Sequence, residues 1–160
     1  MAEEGQKPKV DLNWDDEHVL PAVLSPDTEF VFRRMTEETL RAAAVRDSLR
    51  VLDVGCGRAL DAAALSRGGG CLFGCDPSRI MLRKAREGLR KSGEKVELVG
   101  GLAEGLPFAG RTFHRVVCKE AIDHFASPDR ALAEMCRVAS PEGKVILSVA
   151  NFESLSCFLA

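Results

Sequence analysis

Two carboxylates and a run of small residues carry the first chemistry legible in this chain. Val51-Leu52-Asp53-Val54 is a short apolar run holding one acid, and it breaks into Gly55-Cys56-Gly57-Arg58-Ala59 before the helix-forming Leu60-Asp61-Ala62-Ala63-Ala64-Leu65. Strand, small-residue turn and helix in that order present backbone N–H groups and a helix N-terminus to a ligand. Glycine at 55 and 57 lets the backbone approach that ligand with no Cβ in the way. Asp76 stands roughly twenty residues beyond Asp53, at the end of a second apolar run, where an acid accepts both ribose hydroxyls of an adenosine group. Its competing role is to cap the helix that Ser78 opens; the companion glycine turn favours ribose. A nicotinamide dinucleotide fits poorly, because its Gly-x-Gly-x-x-Gly fingerprint needs a third glycine where Leu60 stands.

Alternating strands and helices must position these groups. Ser25-Pro26 opens a helix expected to run to about Asp47, with Val31, Met35, Ala42 and Val45 among its buried positions. The strand at 51–54 and its helix end at Gly68-Gly69-Gly70. Residues 71–75 form a second strand, closed by Asp76-Pro77, and Ser78 caps a helix whose Met81, Ala85 and Leu89 share one face. The other face of that helix carries Arg79, Arg83, Lys84, Arg86, Arg90 and Lys91, expected to be solvated rather than a phosphate patch. Strands follow at 96–99 and 113–118, then a partly helical link at 119–125. A helix runs from Ser127-Pro128-Asp129 to about Ala139, with Leu132, Met135 and Cys136 apolar; after the turn Pro141-Glu142-Gly143 comes a fifth strand at 144–150. Nearly all-apolar strands separated by helices indicate a parallel sheet covered on both faces. The ligand then sits beyond the carboxyl ends of the strands, where the 55–59 turn, Asp76, the 101–104 loop and residues 118–124 converge.

The remaining composition narrows the class. The 160 residues suit one domain, 46% hydrophobic and 29% charged, with a net charge of −2 and so no basic excess for nucleic acid. There is one Trp and no Tyr. Trp14, beside Asp15-Asp16-Glu17, reads as a lid or as surface packing. Cysteines 56, 71, 75, 118, 136 and 157 form no Cys-x-x-Cys and read as reduced core thiols of a cytoplasmic protein, with no metal site. No run reaches membrane-span length. Residues 1–24 read as an N-terminal arm, loose to about residue 13, and 25–160 as the ligand-binding domain.

Taken together, these residues resemble the class I S-adenosylmethionine-dependent methyltransferases of the small-molecule, methyltransferase-11-like type, over roughly residues 45–150. The stretch 51–59 is similar to the family's first motif, and Asp76 to its ribose-binding acid. Gly101-Leu102-Ala103-Glu104-Gly105-Leu106-Pro107-Phe108 resembles the adenine loop, and Thr112-Phe113-His114-Arg115-Val116-Val117 the fourth strand. The resemblance implies a three-layer Rossmann-like sandwich of sheet order 3-2-1-4-5, here lacking or truncating the family's last two strands. It implies S-adenosyl-L-methionine as cofactor, met by Asp53, Gly55, Cys56, Gly57, Asp76, Pro77, Leu102, Ala103, Glu104, Lys119 and Glu120. Within that set Gly55 and Gly57 receive the methionine part, Asp76 the ribose and the Ala103 main chain the adenine edge, with Lys119 and Glu120 near the methionine end and the acceptor.

The implied reaction is methyl transfer to a small-molecule acceptor, which needs alignment and a desolvated acceptor. If the acceptor must lose a proton, Asp123 and His124 are the nearest bases; alternatively, His124 is a helix-end residue bonded to backbone. Three positions depart from the family pattern. Leu102 replaces an acid that accepts from the adenine amino group, His114 replaces the acid opening the fourth strand, and Ala160 falls ten residues past the fifth strand. Residues 151–160, with Phe152, Leu155, Phe158 and Leu159, look like the start of an apolar helix. These departures keep a second reading open: a methyltransferase-like protein without catalysis that binds a protein partner or a second copy through its exposed sheet edge and tail.

Overall fold

The computed structural model describes residues 11–18 and 25–149. The expectations for residues 1–10, 19–24 and 150–160, including Cys157, lie outside the described residues.

The apolar runs pair as a five-stranded parallel sheet in the order β3-β2-β1-β4-β5, built from β1 (Arg50–Val54), β2 (Cys71–Asp76), β3 (Val96–Gly100), β4 (Phe113–Lys119) and β5 (Ala139–Ser148). This is the expected order. Alternate residues of each strand face opposite layers. On β1 and β4, Val51 and Val117 point to one layer with Ala43 and Leu65. Leu52, Val54, Val116 and Cys118 point to the other, against Ala131, Met135 and Val138. Helices α1 (Pro26–Ala43), α2 (Leu60–Ser66) and α3 (Arg79–Ser92) cover the first layer and α4 (Pro128–Val138) the second.

Local chemistry sets the helix ends. Ser25 Oγ accepts from Thr28 N with Pro26 following, and Ser78 Oγ accepts from Met81 N. Gly93 closes α3 in the left-handed region. Met81, Ala85 and Leu89 are buried on α3 as expected, with Leu82 beside them.

Several expectations are corrected. Helix α1 stops at Ala43 instead of Asp47, because Ala44 turns left-handed and its N–H bonds Leu40 O. Its buried positions are Thr39 and Ala43; Val31 and Ala42 are exposed, and Met35 and Val45 are half-buried. The face is rotated because α1 packs mainly with its last two turns against β4, β5 and α2. On α4, Leu132 and Cys136 are exposed while Ala131, Met135 and Val138 do the packing, and Cys71, at the open start of β2, is likewise an exposed thiol and not a core one. Strand β5 starts earlier than expected: Ala139 already pairs with Phe113, and Pro141, Glu142 and Gly143 are taken up in a register shift before Lys144 meets Arg115.

Candidate functional site

The carboxyl ends of β1, β2 and β3 and the link after β4 border a partly open cleft of about 50 Å³, lined by Gly55, Cys75, Pro77, Gly101, Leu102, Ala103, Glu104, His124, Phe125 and Ala126. That volume is well below the ~300–1,000 Å³ usual for small-molecule pockets.

The floor is the glycine turn. Gly55 has φ +71, and a Cβ there would lie 2.5 Å from Ala121 Cβ, with the Phe125 ring just beyond. The position therefore tolerates only glycine, for backbone and packing reasons together. Ala59, the last residue of the turn, is buried and also left-handed, at φ 58. The N–H groups of Gly55, Cys56 and Gly57 are not offered to a ligand, contrary to the expectation from sequence. Gly55 N and Cys56 N both donate to Cys75 O, at 2.8 and 3.2 Å, and Gly57 N donates to Asp76 Oδ2 at 2.9 Å. What the turn presents is close backbone approach, not donors.

Asp76 is buried at the end of β2. Its Oδ1 accepts from Ser78 N at 2.8 Å while Oδ2 accepts from Gly57 N, so it ties the glycine turn to the start of α3. Capping and ribose binding are thus not exclusive, since an ionised carboxylate offers about four lone-pair positions and two remain. Burial pushes its carboxyl above the usual carboxylate range, and the Ser78 and Gly57 N–H groups oppose that.

The 101–108 loop is stapled to α4. Glu134 Oε2 accepts from Leu106 N at 2.9 Å, and Arg137 donates to Leu106 O and Phe108 O at 3.0 and 2.9 Å. Phe108 packs edge-on against Phe73 and Phe113, with centroids 6.2 and 5.0 Å away. Glu104 Oε1 accepts from Ser127 N at 3.2 Å. Leu102, at 39% exposure, opens toward the cleft, and Ala103 is buried.

Apart from His124, the other expected residues lie around this cleft instead of in its wall. Asp53 is buried on the α1–α2 side of β1. Burial, with Asp61 beside it, pushes its carboxyl up to about 8, although Lys119 pulls the other way. Lys119, expected near the methionine end, instead bonds Asp61 Oδ2 at 3.2 Å and Thr36 Oγ1 at 2.9 Å on that same side. Glu120 is half-buried in a left-handed conformation (φ 53) with its carboxyl pushed up by burial. The buried thiol of Cys56 is likewise pushed up by burial. Of the two acid–base candidates, His124 lines the cleft and Asp123 does not; both are exposed on a 3-10 turn, Ile122–His124. His114 accepts from Arg50 N through Nδ1 at 3.0 Å, joining β4 to the start of β1 far from the cleft.

Sequence reasoning missed Ala121, Phe125, Glu134 and Arg137. For the last two, an acid and a base one helical turn apart on α4 were the available signal. Ala121 and Phe125 are signalled only by the glycine they cover.

The apolar lining, the glycine floor and a carboxylate with spare acceptor capacity fit the adenosyl half of the expected cofactor. The comparisons agree. Residues 52–147 match the family described as methyltransferase domain, and the chain belongs to this S-adenosylmethionine-dependent family. It is 33% identical over 138 residues to methyltransferase GfsG of Streptomyces halstedii, covering 84% of this chain and 48% of that protein. It is 34% identical over 150 residues to a demethylmenaquinone methyltransferase of a Parafrankia species, covering 84% and 57%. Among solved structures, the PH0226 protein of Pyrococcus horikoshii superposes with a TM-score of 0.71 at 29% identity, over 84% of this chain and 60% of that one. The chain spans about half the length of the curated relatives it matches.

Proposed function

We propose that the cleft binds S-adenosyl-L-methionine and that the chain serves methyl transfer to a small-molecule acceptor. The observation that carries this reading is the convergence of Gly55, Pro77 and residues 101–104 on one cleft, with Asp76 tied to the glycine turn behind it. The internal use of the turn's N–H groups supports a cationic ligand over a phosphate-bearing one, because a phosphate on this turn needs those donors. When bound, the cofactor supplies a methyl group on a sulfonium centre. The chain's own tasks are to hold the adenosyl group between Pro77 and the 101–104 loop, to accept ribose hydroxyls at Asp76, and to keep water from the reacting end.

Leu102 offers no acceptor to the adenine amino group, so recognition there falls on the main chain at Ala103 and on shape. His124, in the cleft wall, is the base for an acceptor that must lose a proton; Asp123 stands outside it. The five free cysteines among the described residues support a reducing, cytoplasmic location. No helix among those residues is long and apolar enough to cross a membrane.

Exposed Leu147 and Val149 at the β5 side favour the second reading, a partner protein or a second copy of the chain docked there. Calorimetry separates the two readings. The first expects one-to-one binding of S-adenosylhomocysteine, weakened about tenfold or more in Asp76→Ala, since a charged acceptor is worth about 1.5–3 kcal/mol. Absence of heat at millimolar ligand contradicts it.

A further inference from the structure

Residues 11–18, ahead of α1, are more firmly attached than their composition suggests. Arg79 N donates to Leu12 O at 2.9 Å, and Ser78 Oγ donates to Trp14 O at 2.6 Å. Arg58 grips both oxygens of Asp16, at 2.6 and 2.8 Å, in a two-pronged pair. Lys84 Nζ reaches Asp15 Oδ1 at 2.5 Å and Glu17 Oε1 at 2.7 Å. Lys84 is therefore not part of a solvated basic face: it and Asp15 are largely buried, at 21% and 16% side-chain exposure. Arg58 sits on the glycine turn, Ser78 and Arg79 at the start of α3 just after Pro77 of the cleft wall, and Lys84 in the second turn of that helix. These attachments deliver the Trp14 ring to within 6.3 Å of the His124 ring, which lines the cleft.

We infer that residues 11–18 form a strap belonging to the cofactor site: Trp14 walls the cleft beside His124, and Asp15, Asp16 and Glu17 latch the strap to Arg58 and Lys84. This rests on the cofactor reading above for what the cleft holds, but not for the strap itself. Trp14 is a positioning residue: its indole excludes water from the cleft mouth while the latch holds the glycine turn against the start of α3. Three carboxylates meeting two cations make the latch electrostatic, so added salt loosens it. Cofactor occupancy and strap closure then reinforce each other, because a ligand that touches the closed strap favours that state.

Trp14 is the one tryptophan of the chain, so its fluorescence reports on the strap directly. Acrylamide quenching is measured in the free protein and with saturating S-adenosylhomocysteine, for the parent and for Asp16→Asn/Lys84→Gln, with circular dichroism checking the fold of each. The strap predicts an about twofold higher quenching constant in the free double variant, and the same rise in the free parent at high salt. It also predicts a fall on ligand addition in the parent, and ligand dissociation about tenfold faster in the variant. A quenching constant equal in the two free proteins overturns the strap. Equal dissociation rates overturn its link to the cofactor. If calorimetry detects no ligand binding at all, the cofactor reading fails, and the free-protein quenching still decides the strap.

Discussion

The β1–β2–β3 side of the sheet and the β4–β5 side both end buried strands at the same crevice, but they finish those ends with different parts. On the first side the backbone does the work. The turn after β1 folds back on Cys75 O and Asp76, and Asp76 in turn accepts from the start of α3. On the second side, side-chain charges and hydroxyls do it: Lys119 bridges Asp61 and Thr36, and Thr39 and Ser148 share a hydrogen bond at 2.5 Å. The backbone-built half depends on residue sizes and φ angles at fixed spacing, and so leaves a mark in a short stretch of sequence. The charge-built half depends on residues brought together from α1, α2, β4 and β5, and leaves none.

Gly55→Ala sets the largest expected effect. Adding a Cβ 2.5 Å from Ala121 at a positive φ combines a left-handed penalty of ~1–2 kcal/mol with overpacking of ~1–3 kcal/mol. Urea unfolding should show a loss of about 2–5 kcal/mol together with loss of ligand binding. A change below 1 kcal/mol, measured the same way, means the turn is looser than its geometry states.

Lys119→Met tests the other side. It leaves Asp61 and the buried Asp53 without their cation, and a broken, largely buried pair costs about 2–3 kcal/mol after allowing for its partial exposure. Ligand affinity should move far less than stability. Equal losses of affinity and stability would place Lys119 in the cleft after all.

A pH dependence probes the same side without removing a charge. Asp53 has its carboxyl pushed up to about 8, so the folded protein binds this proton more tightly than the unfolded chain does. Its contribution is fully present below the ordinary carboxylate range and is lost as pH rises toward about 8. The melting temperature should therefore decline between about pH 5 and pH 8, and Asp53→Asn should flatten that decline. An unchanged slope in the variant assigns the titration to another group.

These contrasts explain what was legible beforehand. The sheet order and the cleft residues Gly55, Pro77 and Leu102 to Glu104 follow from a glycine turn, an acid after the second strand and a loop after the third, each local in sequence. The direction of the turn's N–H groups was not legible, because Cys75 O, which takes two of them, belongs to the neighbouring strand. The position of Lys119 was misjudged for a related reason: strand alternation sends it to the α1–α2 layer, where Asp61 and Thr36 wait. The strap was illegible because acids at 15–17 find their bases at 58 and 84 only once α3 and the turn are folded side by side. The Asp76 alternatives looked exclusive only because its local acceptor work and its ligand work were assigned to the same lone pairs.

The central claim is that the cleft between the glycine turn and the 101–104 loop, with Asp76 behind it, receives the adenosyl cofactor. Backbone amide shifts recorded during titration with S-adenosylhomocysteine test it most directly. The largest changes are predicted at Gly55, Gly57, Asp76, Leu102 and Ala103, with Trp14 and His124 following and the outer face of α3 silent. Shifts centred on α3 or β5, with those five amides unmoved, contradict it.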